Sequence, residues 1–394
     1  MQRKITFSGV LFALFFLAFV PQTTLAFTPI PGTLSSNITL SSAGNPYILE
    51  YTVIAPGVTL TIEEGTVVKF SGKYSTLEVN GKLVVNGTET NPAYFTSIND
   101  NAVSGTTGNG APQQGDWGNI MIKEGGTAEI NHAVIRYGGY TGWLTATASS
   151  NLYNRGGTLS LTNSLIGNSW SGLTHASGTT TLERNTLSEN GKGILVNGTG
   201  SISLARNTFS NNTESAAYLD LSGGIDFVHS ENTATGGSQS GFHLRGVLNS
   251  DYVFGKDTMP YIIGYLEIPF GKTMTARPGT VFKFENTGSQ ARISGTLRAE
   301  GTEAEPIYFT SIKDDTVLGD TNGDGNATSP QATDWAEIFV LNGGAANFNH
   351  SVIRYGGQHS WGIWTNSSNI SNSGGTLDIA NSEISYGNIG VYHR

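Results

Sequence analysis

The chain contains no cysteine, so no disulfide bond can stabilise it. Charged side chains make up only 13% of its 394 residues, and the net charge is −9. A sparse, acidic charge set argues against a nucleic-acid partner, which requires a basic surface. Proline is scarce beside 52 glycines, and no apolar run after residue 26 is long enough to span a bilayer. Stability must therefore come from packing and hydrogen bonding.

Residues 1–26 have the pattern of a secretory signal. Arg3 and Lys4 give a positive start, an apolar run extends from Phe7 to Val20, and small residues precede Phe27. The apolar run is short for a membrane anchor, which is the alternative interpretation. We predict that the mature chain begins near Phe27 and is secreted, either into the extracellular space or to the cell surface.

Helical periodicity is nearly absent after the signal. Short runs such as Thr59–Ile62, Thr66–Phe70 and Leu77–Val79 alternate or are continuously apolar, and Gly, Asn or Pro separates them. This pattern predicts an all-β fold with many turns. It leaves both a sandwich and a solenoid open.

The chain also contains two internal copies. Gly32–His175 and Gly246–His393 match segment by segment, at offsets of 214 and then 218 residues. We divide the chain into a signal peptide (1–26), copy one (27–245) and copy two (246–394). Copy two is incomplete, because nothing in it corresponds to Ala176–Arg245, and we expect further sequence to follow. Features present in only one copy are candidates for a local function.

A shorter repeat inside copy one favours the solenoid. Leu182 and Leu204 are 22 residues apart, as are Asn185 and Asn207, and such short periods indicate stacked coils. We predict that two sets of side chains stack inside: Leu161, Leu182 and Leu204, and Leu165, Leu187 and Phe209. We also predict a ladder of hydrogen-bonded polar side chains at the bends, which would satisfy backbone groups there. Its predicted members are Asn163, Asn185, Asn207, Asn381, His132 and His350.

These stacked aliphatic and asparagine positions resemble the right-handed parallel β-helix family, also called the pectin-lyase-like fold. The segments Gly87–Ser97 and Gly301–Ser311, with Gly115–Ile120, look like a phrase common in secreted bacterial β-helix surface proteins. The resemblance extends over essentially all of the mature chain. It implies the fold but not an activity, since this fold occurs in lyases, hydrolases, adhesins and passive stalks.

One segment of copy two has the spacing of a calcium loop. Asp320, Asn322 and Asp324 alternate before Gly325, which places oxygens on one side of a tight turn. The twelfth position, where a hand-type loop has a carboxylate, is Gln331. We predict a structural Ca²⁺ site whose other ligands come from Asp314, Asp315 or Asp334. The alternative is a solvated acidic hairpin. The matching loop of copy one has no acidic run.

Aromatic residues concentrate in the insertions that follow the two Tyr-Gly-Gly turns. Insertions in solenoids often form binding faces, and flat rings suit the C–H faces of sugars. The predicted ligand, a polysaccharide or extracellular matrix glycan, is assigned to Trp143, Tyr140, Tyr153, Trp361 and Trp364. The alternative is that these loops fold down and cover the helix wall.

We predict a non-catalytic, monomeric module that presents loops to a glycan or matrix ligand. A polysaccharide lyase or glycoside hydrolase is the first alternative, and a passive spacer is the second. The candidate catalytic groups are diffuse: Asp220, Asp226, His229, Glu231, Arg184 and Arg206. Residue pairs found in both copies are assigned to architecture, because a catalytic pair rarely occurs twice in one chain: His132 with Arg136, His350 with Arg354, Asp116 with Trp117, and Asp334 with Trp335.

Overall fold

A computed structural model describes residues 27–140, 149–358 and 367–394. The regular structure in these residues is nearly all strand, with short 3-10 turns at Ser42–Gly44 and Leu221–Gly223. The strands pair in parallel, each with the equivalent strand of the coil before or after it. Parallel strands joined through such crossovers wind with a right hand. The predicted right-handed parallel β-helix is therefore confirmed. None of the described residues lies in a helix of the length and apolarity that a bilayer span requires.

Each coil has three strands, which form three walls. Two long strands of copy one, Ser150–Thr162 and Ser171–Glu183, bend at Gly156 and Gly178 and contribute to both wall 2 and wall 3. Wall 1 of copy one contains Thr28–Pro29, Tyr47–Leu49, Val67–Phe70, Ala93–Ser97, Ala133–Arg136, Leu165–Gly167, Thr186–Ser188, Thr208–Ser210 and Thr233–Thr235. The other strands of wall 2 are Thr33–Leu34, Tyr51–Ile54, Thr76–Val79, Ile120–Lys123, Lys192–Val196, Ser215–Asp220 and Phe242–Val247. The other strands of wall 3 are Ile38–Leu40, Thr59–Glu63, Lys82–Asn86, Thr127–Asn131, Ser201–Ala205 and Asp226–Ser230.

Copy two repeats these walls. Its strand Tyr261–Ile268 passes from wall 1 into wall 2. Wall 1 continues with Val281–Phe284, Ile307–Ser311, Ser351–Arg354 and Glu383–Ser385. Wall 2 continues with Gln290–Ile293, Ile338–Val340, Ser368–Asn372 and Ile389–His393. Wall 3 contains Tyr252–Phe254, Thr273–Ala276, Thr296–Glu300, Ala345–Asn349 and Thr376–Ala380.

The core is a set of columns along the inside of the coils. Leu161, Leu182 and Leu204 are in register and fully buried, because alternate residues of a strand point inward. The neighbouring column differs from the prediction. Ile166, not Leu165, lies in register with Leu187, and Leu165 is exposed. The turn before it is one residue shorter than in the next coil, which moves the alignment by one position.

The same shift corrects the predicted ladder. Asn185 and Asn207 are buried, and the Asn185 Nδ2 donates to the Oδ1 of Asn207 at 3.0 Å. The column continues to Asn232, whose Oδ1 accepts from the Asn207 Nδ2 at 3.0 Å. On the other side it ends at Ser164, whose backbone N–H donates to the Asn185 Oδ1 at 3.0 Å. Each amide also donates to a backbone carbonyl, for example Asn185 to Leu161 at 2.8 Å.

The other predicted ladder members occupy a different column. Asn163 and Asn381 are exposed, and they lie one residue before the ladder position. His132 and His350 occupy the equivalent position, and the Nδ1 of each is buried without a hydrogen-bond partner among the described residues. All four have left-handed φ angles between 46° and 50°. This column is the tight turn between walls 3 and 1, in which asparagine is favoured because it tolerates positive φ.

A second ladder was not predicted. It follows wall 1, where the Asn190 Nδ2 donates to the Asn212 Oδ1 at 3.2 Å and the Ser169 N–H donates to the Asn190 Oδ1 at 3.1 Å. Two of the three turns of these coils thus carry buried amides that join successive coils.

The two copies stack in one solenoid, but their walls do not continue straight. Phe242–Leu244 pairs with wall 2 of copy one and also with Tyr261–Ile263, which begins wall 1 of copy two. The predicted boundary between residues 245 and 246 falls inside Phe242–Val247. The last strands of walls 1 and 3 of copy one, Thr233–Thr235 and Asp226–Ser230, have no paired strand on the copy-two side among the described residues. We call this step the seam.

Substitution of Asn185 by alanine tests the ladder. Since buried partners would lose their hydrogen bonds, we expect a loss of about 1–3 kcal/mol of unfolding free energy in urea denaturation. The control is Asn163→Gly, which removes an exposed amide and keeps the left-handed turn. It should change the free energy by less than about 0.5 kcal/mol. Equal effects of the two substitutions would contradict the ladder assignment.

His175 gives a pH-dependent test. It is fully buried, its ring nitrogens lie 2.9 Å from the Thr180 Oγ1 and from the Thr199 carbonyl, and burial lowers its pKa. As pH falls, the unfolded chain therefore takes up this proton first, and the contribution of His175 to stability is lost below about pH 6.5. The equivalent residue in the preceding coil is Asn154, so His175→Asn should fit. Between about pH 7.5 and pH 5, wild type should lose more unfolding free energy than this variant; parallel curves would contradict the assignment.

Candidate functional site

A buried lysine fixes the long loop between walls 1 and 2 in copy one. The Lys69 Nζ donates to the carbonyls of Asp100 and Gly105 at 3.0 and 3.1 Å and to the Thr107 Oγ1 at 2.7 Å. The Asp100 carboxylate accepts from Arg136 of the next coil at 2.7 and 2.8 Å. The sequence analysis missed the role of this lysine, although it stands at the same position of the Gly-Thr-Val segment in both copies.

Copy two repeats this arrangement. Lys283 donates to the carbonyls of Asp314 and Gly319, each at 3.0 Å, and to the Thr321 Oγ1 at 2.6 Å. Burial lowers the pKa of Lys283 to about 8. The Arg354 guanidinium lies 2.6 Å from the Asp314 carboxylate. The anchored loop is therefore held at its base in each copy, and its outer part is free to differ.

The outer part of the copy-two loop carries an acidic cluster. Asp315, Asp320 and Asp324 each offer a carboxylate oxygen, and these oxygens lie within 4.8 Å of one another. Two further facts bear on a cation. The Asp315 Oδ1 and the Asn322 Oδ1 are buried without a hydrogen-bond partner among the described residues. Burial, and then the charges of Asp320 and Asp324, raise the pKa of Asp315. Hard oxygen donors with unneutralised charge fit the requirements of Ca²⁺.

Two predicted ligands do not join this cluster. The Asp314 carboxylate is buried and accepts from Thr310, Thr316 and Arg354. Burial alone would raise its pKa, but these hydrogen bonds and the Arg354 charge outweigh that effect and lower it. Asp334 accepts from Ser311 and from Lys313, each at 2.7 Å. Both carboxylates therefore hold the base of the loop.

The acidic loop also contacts the seam. The Ser240 N–H donates to the Thr321 carbonyl at 2.8 Å. Gly323 lies so close to the Gly237 carbonyl that a Cβ there would be 2.3 Å from its oxygen. The loop of copy two thus rests on the segment that follows the last wall 1 strand of copy one. Its sequence allows this approach because Gly323 has no side chain and a left-handed φ of 70°.

The predicted ligand-binding aromatics are described only in part. Trp143, Trp361 and Trp364 lie outside the described residues. Tyr140 makes an edge-to-face contact with Tyr74, with ring centroids 5.3 Å apart, and Lys73 lies 5.5 Å from the centre of the Tyr140 ring. A hydrogen bond with Tyr140 raises the pKa of Tyr74. Tyr153 is half-buried on wall 2, next to Met121 and Thr174 in register.

Two exposed aromatics at this corner were missed. Tyr74 is 75% exposed and Trp170 is 56% exposed, and both lie in turns between walls 1 and 2. A Cβ on Gly115 would lie 3.9 Å from the Trp170 indole nitrogen, and the Gly115 N–H donates to the Gly138 carbonyl, two residues before Tyr140. We call Tyr74, Tyr140 and Trp170 the aromatic corner.

Comparison of the copies could have identified this corner. At the offsets of 214 and 218 residues, copy two has Gly288 for Tyr74, Gln358 for Tyr140 and Asn388 for Trp170. Tyr153 is likewise replaced, by Ser371. The sequence analysis considered the insertions alone, and Tyr74 and Trp170 lie outside them.

The candidate catalytic groups do not assemble into one site. The Asp220 Oδ1 accepts from the Ser222 N–H at 3.0 Å, as a turn cap. The Nδ1 of His229 lies 2.6 Å from the Asp257 carboxylate, and its Nε2 lies 2.9 Å from the Tyr261 hydroxyl across the seam. Asp226 and Glu231 are exposed on the outside of the coil.

The basic pair on the wall is also engaged. Glu183 accepts from Arg206 and lies 2.9 Å from Arg184, and its pKa is lowered by the hydrogen bond from Arg206 and then by the charge of Arg184. Such exposed pairs contribute little to stability, and they leave no free basic groove here.

The repeated Asp-Trp pairs lie at the starts of coils. Trp117 stacks on Phe70 with centroids 3.8 Å apart, and Trp335 stacks on Phe284 at 3.9 Å. Each indole nitrogen donates to the carbonyl of the repeated arginine, Arg136 or Arg354. Both indoles are fully buried.

The geometry agrees with a comparison against known families. Residues 32–166 match the pectate-lyase like beta helix domain. This match covers the first coils of copy one, including Tyr74 and Tyr140 of the aromatic corner. A comparison with curated proteins finds no match to the chain. The family likeness supports the fold, and the function must be argued from the sites themselves.

Proposed function

We propose that the protein is a secreted or cell-surface β-helix module that binds a glycan without catalysing a reaction. The observation that carries the proposal is the aromatic corner. It combines exposed rings at one edge of the helix, and copy two has no aromatic residue at these positions. Exposed rings with a polar edge can stack on the C–H face of a sugar while the hydroxyls remain hydrated.

The corner has the composition of a contact surface. Tyr74 and Tyr140 are already in contact at 5.3 Å, so one ring limits the motion of the other. Lys73 lies beside them and adds a hydrogen-bond donor. Rings held in place before binding lose little conformational entropy when a ligand docks.

An enzyme of the lyase or hydrolase class is the alternative, favoured by the match to the pectate-lyase like beta helix domain. Catalysis of that kind requires several charged groups that converge on one bond. Among the described residues, His229, Arg184 and Arg206 are paired with Asp257 or Glu183 instead. This supports binding over catalysis.

The aromatic corner can be tested with Tyr74→Ala and Trp170→Ala. We expect each to weaken glycan binding about threefold to tenfold, because an aromatic contact contributes about 0.5–1.5 kcal/mol. A glycan array selects the ligand, and titration calorimetry measures affinity.

The matched control for the corner is Phe270→Ala, which removes an aromatic side chain that is 86% exposed elsewhere on the surface. It should leave affinity unchanged. New reducing ends or unsaturated products during the titration would instead support an enzyme. If the control weakens binding as much as Trp170→Ala does, the corner is not the site.

We further propose that Ca²⁺ binds the acidic cluster and stabilises the loop. Asp315, Asp320 and Asp324 would supply carboxylate oxygens, and Asn322 an amide oxygen. The ion would neutralise three neighbouring charges and supply partners for the two buried oxygens. The site is structural in this proposal and takes no part in a reaction.

Removal of calcium tests this site. At a concentration 100 times Kd, bound calcium adds about 2.7 kcal/mol to stability, so chelator should lower the melting temperature. Asp320→Asn combined with Asp324→Asn should abolish the response to chelator. The control is Glu89→Gln with Glu303→Gln, which removes two exposed charges at equivalent positions of the two copies and should retain the response. A melting temperature that chelator does not change would reject calcium.

A further inference from the structure

Wall 3 of copy two carries an open groove of about 480 Å³. It crosses three successive strands and lies on a different wall from the turns that carry the aromatic corner. The groove is lined by Thr296, Leu297, Arg298, Glu300, Ala345, Ala346, Asn347, Asn349, Thr376 and Asp378.

Its outward side chains form three rows along the helix axis. The strand register places Thr296, Ala345 and Thr376 in one row, and Arg298, Asn347 and Asp378 in the next. Neighbouring strands are about 4.8 Å apart, so a row of three residues extends over about 10 Å. The third row contains Glu300, Asn349 and Ala380.

Copy one shows how the same wall looks when it is closed. There Lys82 and Glu129, on adjacent strands, form a salt bridge of 2.7 Å across the surface. At the offsets of the repeat, Lys82 is replaced by Thr296 and Glu129 by Asn347. A third change, Thr127 to Ala345, removes further side-chain volume. The groove therefore lies where copy one has bridging side chains.

The groove also gains charged groups that the fold does not use. Arg298 replaces Val84 and Glu300 replaces Asn86. Within the described ranges, neither Arg298 nor Glu300 has an ion-pair or hydrogen-bond partner, and both are exposed. The Asn347 Nδ2 and the Asp378 Oδ2 are 3.4 Å apart, at the outer limit of a hydrogen bond. A guanidinium, an amide and two carboxylates thus face one groove.

We propose that this groove binds a neutral oligosaccharide that lies along the helix axis. Neighbouring sugar hydroxyls can accept from Arg298 and Asn347 and donate to Glu300 and Asp378. A polyanion is disfavoured, since the groove has two carboxylates for one guanidinium and the chain has a net charge of −9. The choice of a glycan as the ligand class rests on the proposed function, whereas the location rests on the groove alone.

The test measures binding of neutral xylo-, manno- and gluco-oligosaccharides by titration calorimetry, with polygalacturonate as the anionic comparison. Arg298→Ala and Asp378→Ala should each weaken binding of the neutral ligand about tenfold, since each removes a charged hydrogen-bonding partner. Thr296→Lys combined with Asn347→Glu should rebuild the copy-one salt bridge and block the groove. Circular dichroism confirms that each variant is folded.

The matched controls are Lys82→Ala and Glu129→Ala on the wall of copy one, which should not change affinity. If groove variants bind normally while Trp170→Ala weakens binding, the groove proposal is overturned and the aromatic corner stands. If groove variants weaken binding while Trp170→Ala does not, the groove stands and the corner fails. Preferential binding of polygalacturonate, or no binding of any neutral glycan, overturns the groove proposal.

Discussion

The backbone hydrogen bonds between successive coils determine the rest of this structure. An inner strand has a parallel partner on each side, so its amide and carbonyl groups are satisfied only when the next coil is in register. Register in turn fixes which side chains point inward, because a shift of one residue would exchange the inner and outer faces. The leucine columns and the two amide ladders are consequences of this constraint. The ladders also extend it through the turns, where backbone pairing alone would lapse.

The same constraint separates structural from variable positions. Inside the coil, both copies retain nearly the same residues, and the anchors around Lys69 and Lys283 are alike down to their hydrogen-bond acceptors. Outside, pairing imposes little on side chains, and the copies diverge. Copy one has the aromatic corner, whereas copy two has the acidic loop and the open groove. The duplication thus produced one scaffold with three chemically different surfaces.

The fold could be predicted from sequence because stacking imposes a repeat of 22 residues and an inward alternation, and both can be read directly from the sequence. The position of the ladder could be predicted only to within one residue. The turn before Ser164 is one residue shorter, so an alignment on asparagine identity placed Asn163, instead of Ser164, at the ladder position. Asn381, His132 and His350 were misplaced for the same reason. Identity alone cannot distinguish an asparagine that bonds inside from one that accommodates positive φ.

The sites depended on different information. The acidic loop was visible because its ligand spacing is local, although its ligand set was too wide: Asp314 is held by Arg354, which is distant in sequence. The aromatic corner joins Tyr74, Tyr140 and Trp170 from different coils, so no local motif marks it. The groove on wall 3 is a matter of what is missing, since it arises from the loss of the Lys82–Glu129 bridge. Only the position-by-position comparison of copies contains that information.

The step at the seam has a mechanical consequence. Within each copy, three walls of hydrogen bonds run side by side along the axis. At the seam only one of them is continuous, through Phe242–Val247 and Tyr261–Ile268, and side-chain contacts such as His229 with Asp257 and Tyr261 make up the remainder. A pulling force along the axis would therefore be shared by three sheets everywhere except here. This joint would yield first under tension, and each half would remain wound after the two had parted.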